Sequence, residues 1–121
     1  MTTGLVVDDS RVIRKLAQKM LTDLGIQVSE AENGAIAFDI CSVKAPDFVL
    51  LDWNMPVCDG MEFLKKLRKA PISPQPKVLF CTTESEFSKI AQALSEGADE
   101  YIMKPFDHEI LESKLRLLGV I

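Results

Sequence analysis

Five side chains able to grip a cation or a phosphoryl group each stand at the end of a short apolar run. Asp8 and Asp9 follow Leu5-Val6-Val7, Asp52 follows Phe48-Val49-Leu50-Leu51, Thr82 follows Val78-Leu79-Phe80-Cys81, and Lys104 follows Tyr101-Ile102-Met103. If these runs are strands of one parallel sheet, all five side chains meet at its carboxyl edge, where open α/β sheets bind their ligands. The carboxylates supply the hard oxygens that Mg²⁺ requires, and an ammonium and a hydroxyl beside them fit a phosphoryl group. Carboxylates crowded this way repel by about 4 kcal/mol per close pair at an effective dielectric of about 20, so something positive must stand among them. A magnesium ion and Lys104 are the candidates for that place. An aspartate beside such a metal can act as a nucleophile toward phosphorus, and Asp52 is the best placed to do so.

Strand and helix signals that could position these residues alternate five times. From Ile13, the positions Leu16, Ala17, Met20, Leu21 and Leu24 recur at helical spacing, with Ser10 as N-cap and Gly25 as the stop. Val28 and Ala31 fit a short strand, and Asn33-Gly34 leads into a helix over Ala35 to Val43 that ends before Pro46. Asp59 and Glu62 resemble a capping box for a helix that buries Met61, Leu64 and Leu67 with Phe63. Phe87, Ile90, Ala91 and Leu94 give a further helical stripe ending at Gly97. Asp107 can cap a last helix whose Ile110, Leu111, Leu115 and Leu118 face inward. The first, third and fourth strands are almost wholly apolar, as parallel strands covered on both faces must be. The pattern predicts an α/β fold, a doubly wound (βα)₅ sandwich.

A length of 121 residues suits one domain, 1–121, with no attached effector expected beyond Leu118. A hydrophobic share of 47% and a charged share of 26% describe a globular chain, and the net charge of −4 argues against nucleic acid as a direct partner. No apolar stretch approaches the roughly 18 residues of a membrane span, and Met1 is followed by polar residues rather than a secretory signal, so a cytoplasmic protein is expected. Cys41, Cys58 and Cys81 have no metal-ligand spacing and read as small hydrophobes in a reducing compartment. His108, beside Asp107, reads as a surface histidine at a helix start.

Each chemical residue also has a plainer explanation. Asp8 or Asp9 could serve only as an N-cap, Thr82 as a β-branched strand residue, Lys104 as a solvated charge, Trp53 as packing and Tyr101 as a strand aromatic. Taken together, these explanations do not account for Asp8, Asp9, Asp52, Thr82 and Lys104 all lying at strand ends.

Asp8-Asp9-Ser10, Asp52-Trp53-Asn54-Met55-Pro56 with Asp59-Gly60-Met61, Thr82, and Lys104-Pro105-Phe106 together resemble the receiver domains of two-component response regulators, in particular the stand-alone chemotaxis type. The resemblance runs the length of the chain. It implies a flavodoxin-like five-stranded parallel sheet of order 2-1-3-4-5 and a cis Lys104–Pro105 bond. It implies that Asp52 is the phospho-acceptor and that Mg²⁺ is held among Asp8, Asp9, Asp52 and the Asn54 main-chain carbonyl, with Asp9 a direct ligand and Asp8 acting through water. Lys104 would contact the phosphoryl group, Thr82 would swing toward it, and Tyr101 would change rotamer on the face built by the fourth helix, fifth strand and fifth helix. The donor would be a phosphohistidine on a histidine kinase or histidine phosphotransfer protein, and a downstream protein would bind that face. The family often has Ala or Gly after the switch threonine, leaving an open way to the acceptor, whereas this chain has Thr83, a departure that bears on how freely small donors enter and how fast water hydrolyses the phosphoryl group. Asn54 and Glu84 occupy positions that tune autodephosphorylation.

Two other classes use related chemistry or the same fold. A haloacid-dehalogenase-like phosphatase would want a second carboxylate two residues after its nucleophile, where this chain has Asn54. A flavodoxin-like cofactor binder needs a phosphate-cradling first loop, and Asp8-Asp9 would repel a phosphate there. The residues favour a phosphorylation-dependent signalling module that catalyses only its own phosphorylation and dephosphorylation.

Overall fold

The computed structural model describes residues 1–53, 55, 57–83 and 88–121. Its elements are β1 (Thr3–Val7), α1 (Arg11–Asp23), β2 (Gln27–Ala31), α2 (Gly34–Val43), β3 (Phe48–Asp52), α3 (Gly60–Lys69), β4 (Lys77–Thr82), α4 (Ile90–Ser95), β5 (Glu100–Met103) and α5 (His108–Leu117). The strands form one parallel sheet of order β2-β1-β3-β4-β5, the doubly wound arrangement expected.

Alternation along the strands divides the core. Val6, Leu50, Leu79 and Cys81 point to one face, where Ala17 and Leu21 of α1 and Leu111 and Leu115 of α5 cover them. Leu5, Val7, Val49, Leu51, Val78 and Phe80 point to the other, under α2, α3 and α4. A strand buried on both sides has no place for a polar residue until the sheet ends, so the first polar side chains emerge together at the carboxyl edge.

Local chemistry starts the helices as the sequence predicts. Ser10 accepts from the Ile13 amide at 3.3 Å, Asn33 from Ile36, Asp59 from Glu62 and Asp107 from Ile110, these three at 2.9 Å. Each cap satisfies an amide that the helix cannot. Gly25 follows α1 with φ of 81°, a left-handed stop.

The helix faces differ from expectation at three leucine or isoleucine positions. Leu16, Leu94 and Ile110 are 52%, 42% and 44% exposed rather than inward. Helical periodicity marks an apolar face wider than the sheet can cover. On α1 the buried row is Ala17 and Leu21, on α5 Leu111 and Leu115, and on α4 Ile90 with Ala93 in place of Ala91 and Leu94. Phe87 lies outside the described residues. Among the described residues no helix is long and apolar enough to cross a membrane.

Candidate functional site

The ends of β1, β3, β4 and β5 bring four of the singled-out residues to one edge. Asp8 directly follows β1 and is buried; Asp52 and Thr82 are the last residues of β3 and β4; Lys104 directly follows β5. Asp9, beside Asp8, is exposed. Carboxylate oxygens of Asp8, Asp9 and Asp52 all lie within 4.8 Å of one another. Lys104 Nζ donates to Asp52 Oδ1 at 2.8 Å and to Asp8 Oδ2 at 3.1 Å, so one ammonium bridges two of the three acids. Asp8 is further tied down by the Ser10 amide, which donates to its Oδ1 at 2.9 Å.

Electrostatics follow from this packing. Burial pushes the Asp52 carboxyl above its ordinary range, and the neighbouring Asp8 charge pushes the same way, while the Lys104 hydrogen bond and charge oppose them. Burial likewise works against the Lys104 charge, but the hydrogen bond and charge of Asp52, with Asp8 adding, overcome it and hold the ammonium above its usual range. The lysine therefore stays charged.

The donor set fits Mg²⁺. Both Asp8 oxygens are already engaged, to Ser10 and Lys104, whereas the exposed Asp9 carboxylate has no partner among the described residues. Asn54 and Glu84 lie outside the described residues.

The remaining candidates surround this edge. Thr82 is fully buried; its hydroxyl donates to the Thr83 carbonyl at 3.1 Å, and its own carbonyl accepts from the Lys104 amide at 2.7 Å. The Lys104–Pro105 bond is cis. Thr83 lines an apolar groove of about 370 Å³ with Lys104, Pro105, Phe106 and the α1 residues Ile13 and Leu16. Tyr101 lies further back along β5, half-exposed, under the Lys114 ammonium 4.3 Å from its ring centre. Trp53 stands edge-on to Phe80 with centroids 5.3 Å apart, and Lys89 Nζ sits 4.5 Å over its ring.

Cys41, Cys58 and Cys81 are buried free thiols. Burial pushes Cys41 up to about 11, and the other two upward as well, so they pack as hydrophobes. His108 opens α5 with Nε2 3.2 Å from Asp23 Oδ2 at the surface.

Three residues make contacts here that the sequence does not announce, although Gly60 belongs to the Asp59-Gly60-Met61 motif. Gly60, the first residue of α3, packs directly on the Asp52 carbonyl and donates its amide to the Trp53 carbonyl at 3.0 Å. Arg14 reaches back to the Asp8 carbonyl at 2.8 Å. Lys89 caps Trp53. Only Gly60 left a signal, an Asp-Gly pair where a helix begins.

Val57, in the loop between β3 and α3, has φ of 70° and is 82% exposed. The left-handed region costs a side chain with a Cβ about 1–2 kcal/mol, and a β-branched one has no local hydrogen bond to offset it. Strain held beside a site is a common way of fixing a loop. Val57→Asn is expected to stabilise the protein by about 1 kcal/mol, read as a raised urea midpoint. A lowered midpoint would mean that the valine side chain makes a contact worth more than its strain.

A family model for the response regulator receiver domain matches residues 5–116. The chain is 39% identical over 113 residues to a chemotaxis protein CheY homolog of Campylobacter jejuni, covering 92% of this chain and 87% of that protein. It is 36% identical over 116 residues to chemotaxis protein CheY1 of Helicobacter pylori, covering 94% of each. The structure of Vibrio cholerae chemotaxis protein CheY4 superposes with a TM-score of 0.89 at 33% identity, over 97% of this chain and 98% of that one.

Fold and matched family define a phosphorelay signalling module rather than a metabolic enzyme, one that implies a phosphodonor kinase and downstream targets. The chain belongs to the response regulator receiver domain family. Receivers of this family typically bind Mg²⁺ in an acidic pocket, and the Asp8, Asp9 and Asp52 cluster is compatible with that.

Proposed function

We propose that this chain is a chemotaxis-type response regulator, acting as a single receiver unit over residues 1–121, that accepts a phosphoryl group on Asp52 from the phosphohistidine of a histidine kinase or phosphotransfer protein. The observation that carries the reading is Lys104 Nζ, 2.8 Å from Asp52 and 3.1 Å from Asp8 at the edge where Asp9 also stands. A half-buried lysine and a buried acid at one sheet edge, with a free carboxylate beside them, form a charge frame for a transferring phosphoryl group.

An Asp52 carboxylate oxygen forms the new bond to phosphorus as the phosphorus–nitrogen bond breaks, and the departing imidazole takes up a proton. Lys104 orients the acceptor and remains to pair with the phosphoryl oxygens. Asp9 would hold Mg²⁺ directly, with Asp8 acting through water and Asp52 and the Asn54 carbonyl completing the protein's share. The metal's part is to neutralise charge that grows on the phosphoryl oxygens. Thr83, and the Asn54 and Glu84 positions, would set how readily water reaches the product.

Output follows from the added charge. Phosphorylation adds negative charge to Asp52, drawing the Thr82 hydroxyl from the Thr83 carbonyl toward the phosphoryl group. Moving a population from 1:99 to 99:1 needs about 5.5 kcal/mol of differential stabilisation, more than one hydroxyl contact supplies, so Lys104 and main-chain donors share the work. Tyr101 would then repack on the α4, β5 and α5 face, to which a downstream protein binds. Three buried thiols with no disulfide among the described residues fit the cytoplasm as the place of action.

Acetyl phosphate or a phosphohistidine donor with Mg²⁺ is expected to label the wild type, and Asp52→Asn to abolish labelling. Equal labelling of the asparagine variant would place the acceptor elsewhere.

A further inference from the structure

The acidic turn is held from β2 on both sides of one residue. The Asp8 amide donates to the Ala31 carbonyl at 3.1 Å. The Asp8 carbonyl accepts from the Arg14 guanidinium at 2.8 Å, and Arg14 Nε donates to Glu30 Oε1 at 2.9 Å. Glu30 and Ala31 are adjacent in β2, so one main-chain group of Asp8 is held by that strand directly and the other through Arg14. Lys15 adds a second cation to Glu30 at 3.0 Å. The Arg14 side chain is 12% exposed, too enclosed to be a solvated charge that touches the carbonyl in passing.

That carbonyl belongs to the peptide plane that also carries the Asp9 amide. Fixing its direction fixes the Asp9 amide and Cα, the base from which the Asp9 side chain departs. Asp9 needs such help, because its carboxylate has no partner among the described residues and only its backbone keeps it within 4.8 Å of Asp8 and Asp52. Glu30 performs a second service. It engages the guanidinium and so keeps a strong cation off the three carboxylates, where it would compete with a metal.

We propose that Arg14 is a positioning residue for the metal site: braced on Glu30, its guanidinium holds the Asp8–Asp9 peptide so that the Asp9 carboxylate faces the cation. This rests on the metal reading given above. Groups that orient metal ligands from behind typically change affinity by about 10- to 100-fold when removed. The sign separates this role from simple electrostatics, since deleting a nearby positive charge by itself would tighten Mg²⁺ binding.

The test is calorimetric titration of Mg²⁺ into the unphosphorylated protein near neutral pH, with urea midpoints measured in parallel for Arg14→Met, Arg14→Lys, Glu30→Gln and Asp9→Ala. Arg14→Met keeps the packed stem and is expected to weaken Mg²⁺ binding roughly tenfold in folded protein. Arg14→Lys, a single ammonium in place of a two-sided fork, is expected to recover only part, and Glu30→Gln to show a smaller loss than Arg14→Met. If Arg14→Met is poorly folded, Arg14→Lys and Glu30→Gln carry the same comparison. Affinity unchanged or tightened in the folded Arg14 variants, with only the urea midpoint lowered, would make Arg14 a stability residue and overturn the proposal. Asp9→Ala is expected to lose most of the affinity. Should it bind Mg²⁺ as the wild type does, the metal reading itself falls and the proposal with it.

Discussion

Lys104→Met is expected to destabilise the metal-free protein by about 2–3 kcal/mol and to make its stability depend on Mg²⁺ far more than that of the wild type. The lysine is the only cation in contact with Asp52 Oδ1 and Asp8 Oδ2 among the described residues. Asp8 is 4% exposed, and the Asp52 side chain is 13% exposed. Removing one partner of a fully buried ion pair costs about 3–5 kcal/mol, and the lower figure used here allows for the lysine's contact with solvent. Saturating Mg²⁺ supplies a replacement charge and is expected to recover most of the loss. The pH dependence has a definite sign. Burial already raises the Asp52 carboxyl, and without Lys104 it rises further. A folded state that binds a proton more tightly than the unfolded chain gains stability as pH falls, so the metal-free variant is expected to grow more stable as pH is lowered from neutral toward the carboxylate range. Urea midpoints in chelator and in Mg²⁺, across that range, provide the measurement. A variant as stable as the wild type in chelator, with the same response to Mg²⁺, would mean that the three acids do not need the lysine.

The site was legible in the sequence because of how a two-sided parallel sheet must be written. Strands such as Phe48–Asp52 and, after Lys77, Val78 to Thr82 stay apolar while both faces are covered, so the polar residue that ends the run marks both the end of the strand and the edge where ligands lie. Asp8, Asp52, Thr82 and Lys104 could therefore be brought together without any contact being known. Helix starts were legible for a similar local reason, since Ser10, Asn33, Asp59 and Asp107 each satisfy an amide within their own first turn. Contacts between elements were not. Whether Leu16 or Ala17 faces the sheet depends on the roll of α1, which periodicity alone leaves open. Arg14 reaches Glu30 and Asp8 only after α1 has packed beside β2. Arg68 is similar: it donates to the carbonyls of Gly97 and Pro76 and to Asp99, joining α3 to the loops that lead into β4 and β5, a role no local pattern announces. The left-handed backbone at Val57 runs against its residue type, so propensity points away from it.

Gly60→Ala is expected to cost roughly 3 kcal/mol and to reduce phosphoryl labelling of the folded fraction, although alanine is the better helix former. Helix propensity taken alone predicts the opposite sign, a gain of up to about 1 kcal/mol for replacing glycine in a helix. Sterics decide the matter here. A Cβ on Gly60 would overlap the Asp52 main-chain carbonyl oxygen and would also lie 3.2 Å from the Asp52 carbonyl carbon and from the Trp53 Cα. These are backbone atoms at the end of a central strand, with no rotamer to turn away. Either α3 lifts off, breaking the Gly60 amide bond to the Trp53 carbonyl at 3.0 Å, or the end of β3 moves and carries Asp52 with it. Both movements reach the acceptor, because Asp52 Oδ1 is held 2.8 Å from Lys104 by the same stretch of chain. Labelling is therefore expected to fall even at temperatures where the variant is fully folded, a separation that a purely structural defect would not produce. Paired measurements of urea midpoint and acetyl phosphate labelling test both parts. An unchanged or raised midpoint would show that α3 can accommodate a methyl group at its first turn, and normal labelling in a destabilised variant would show that the displacement stops short of Asp52.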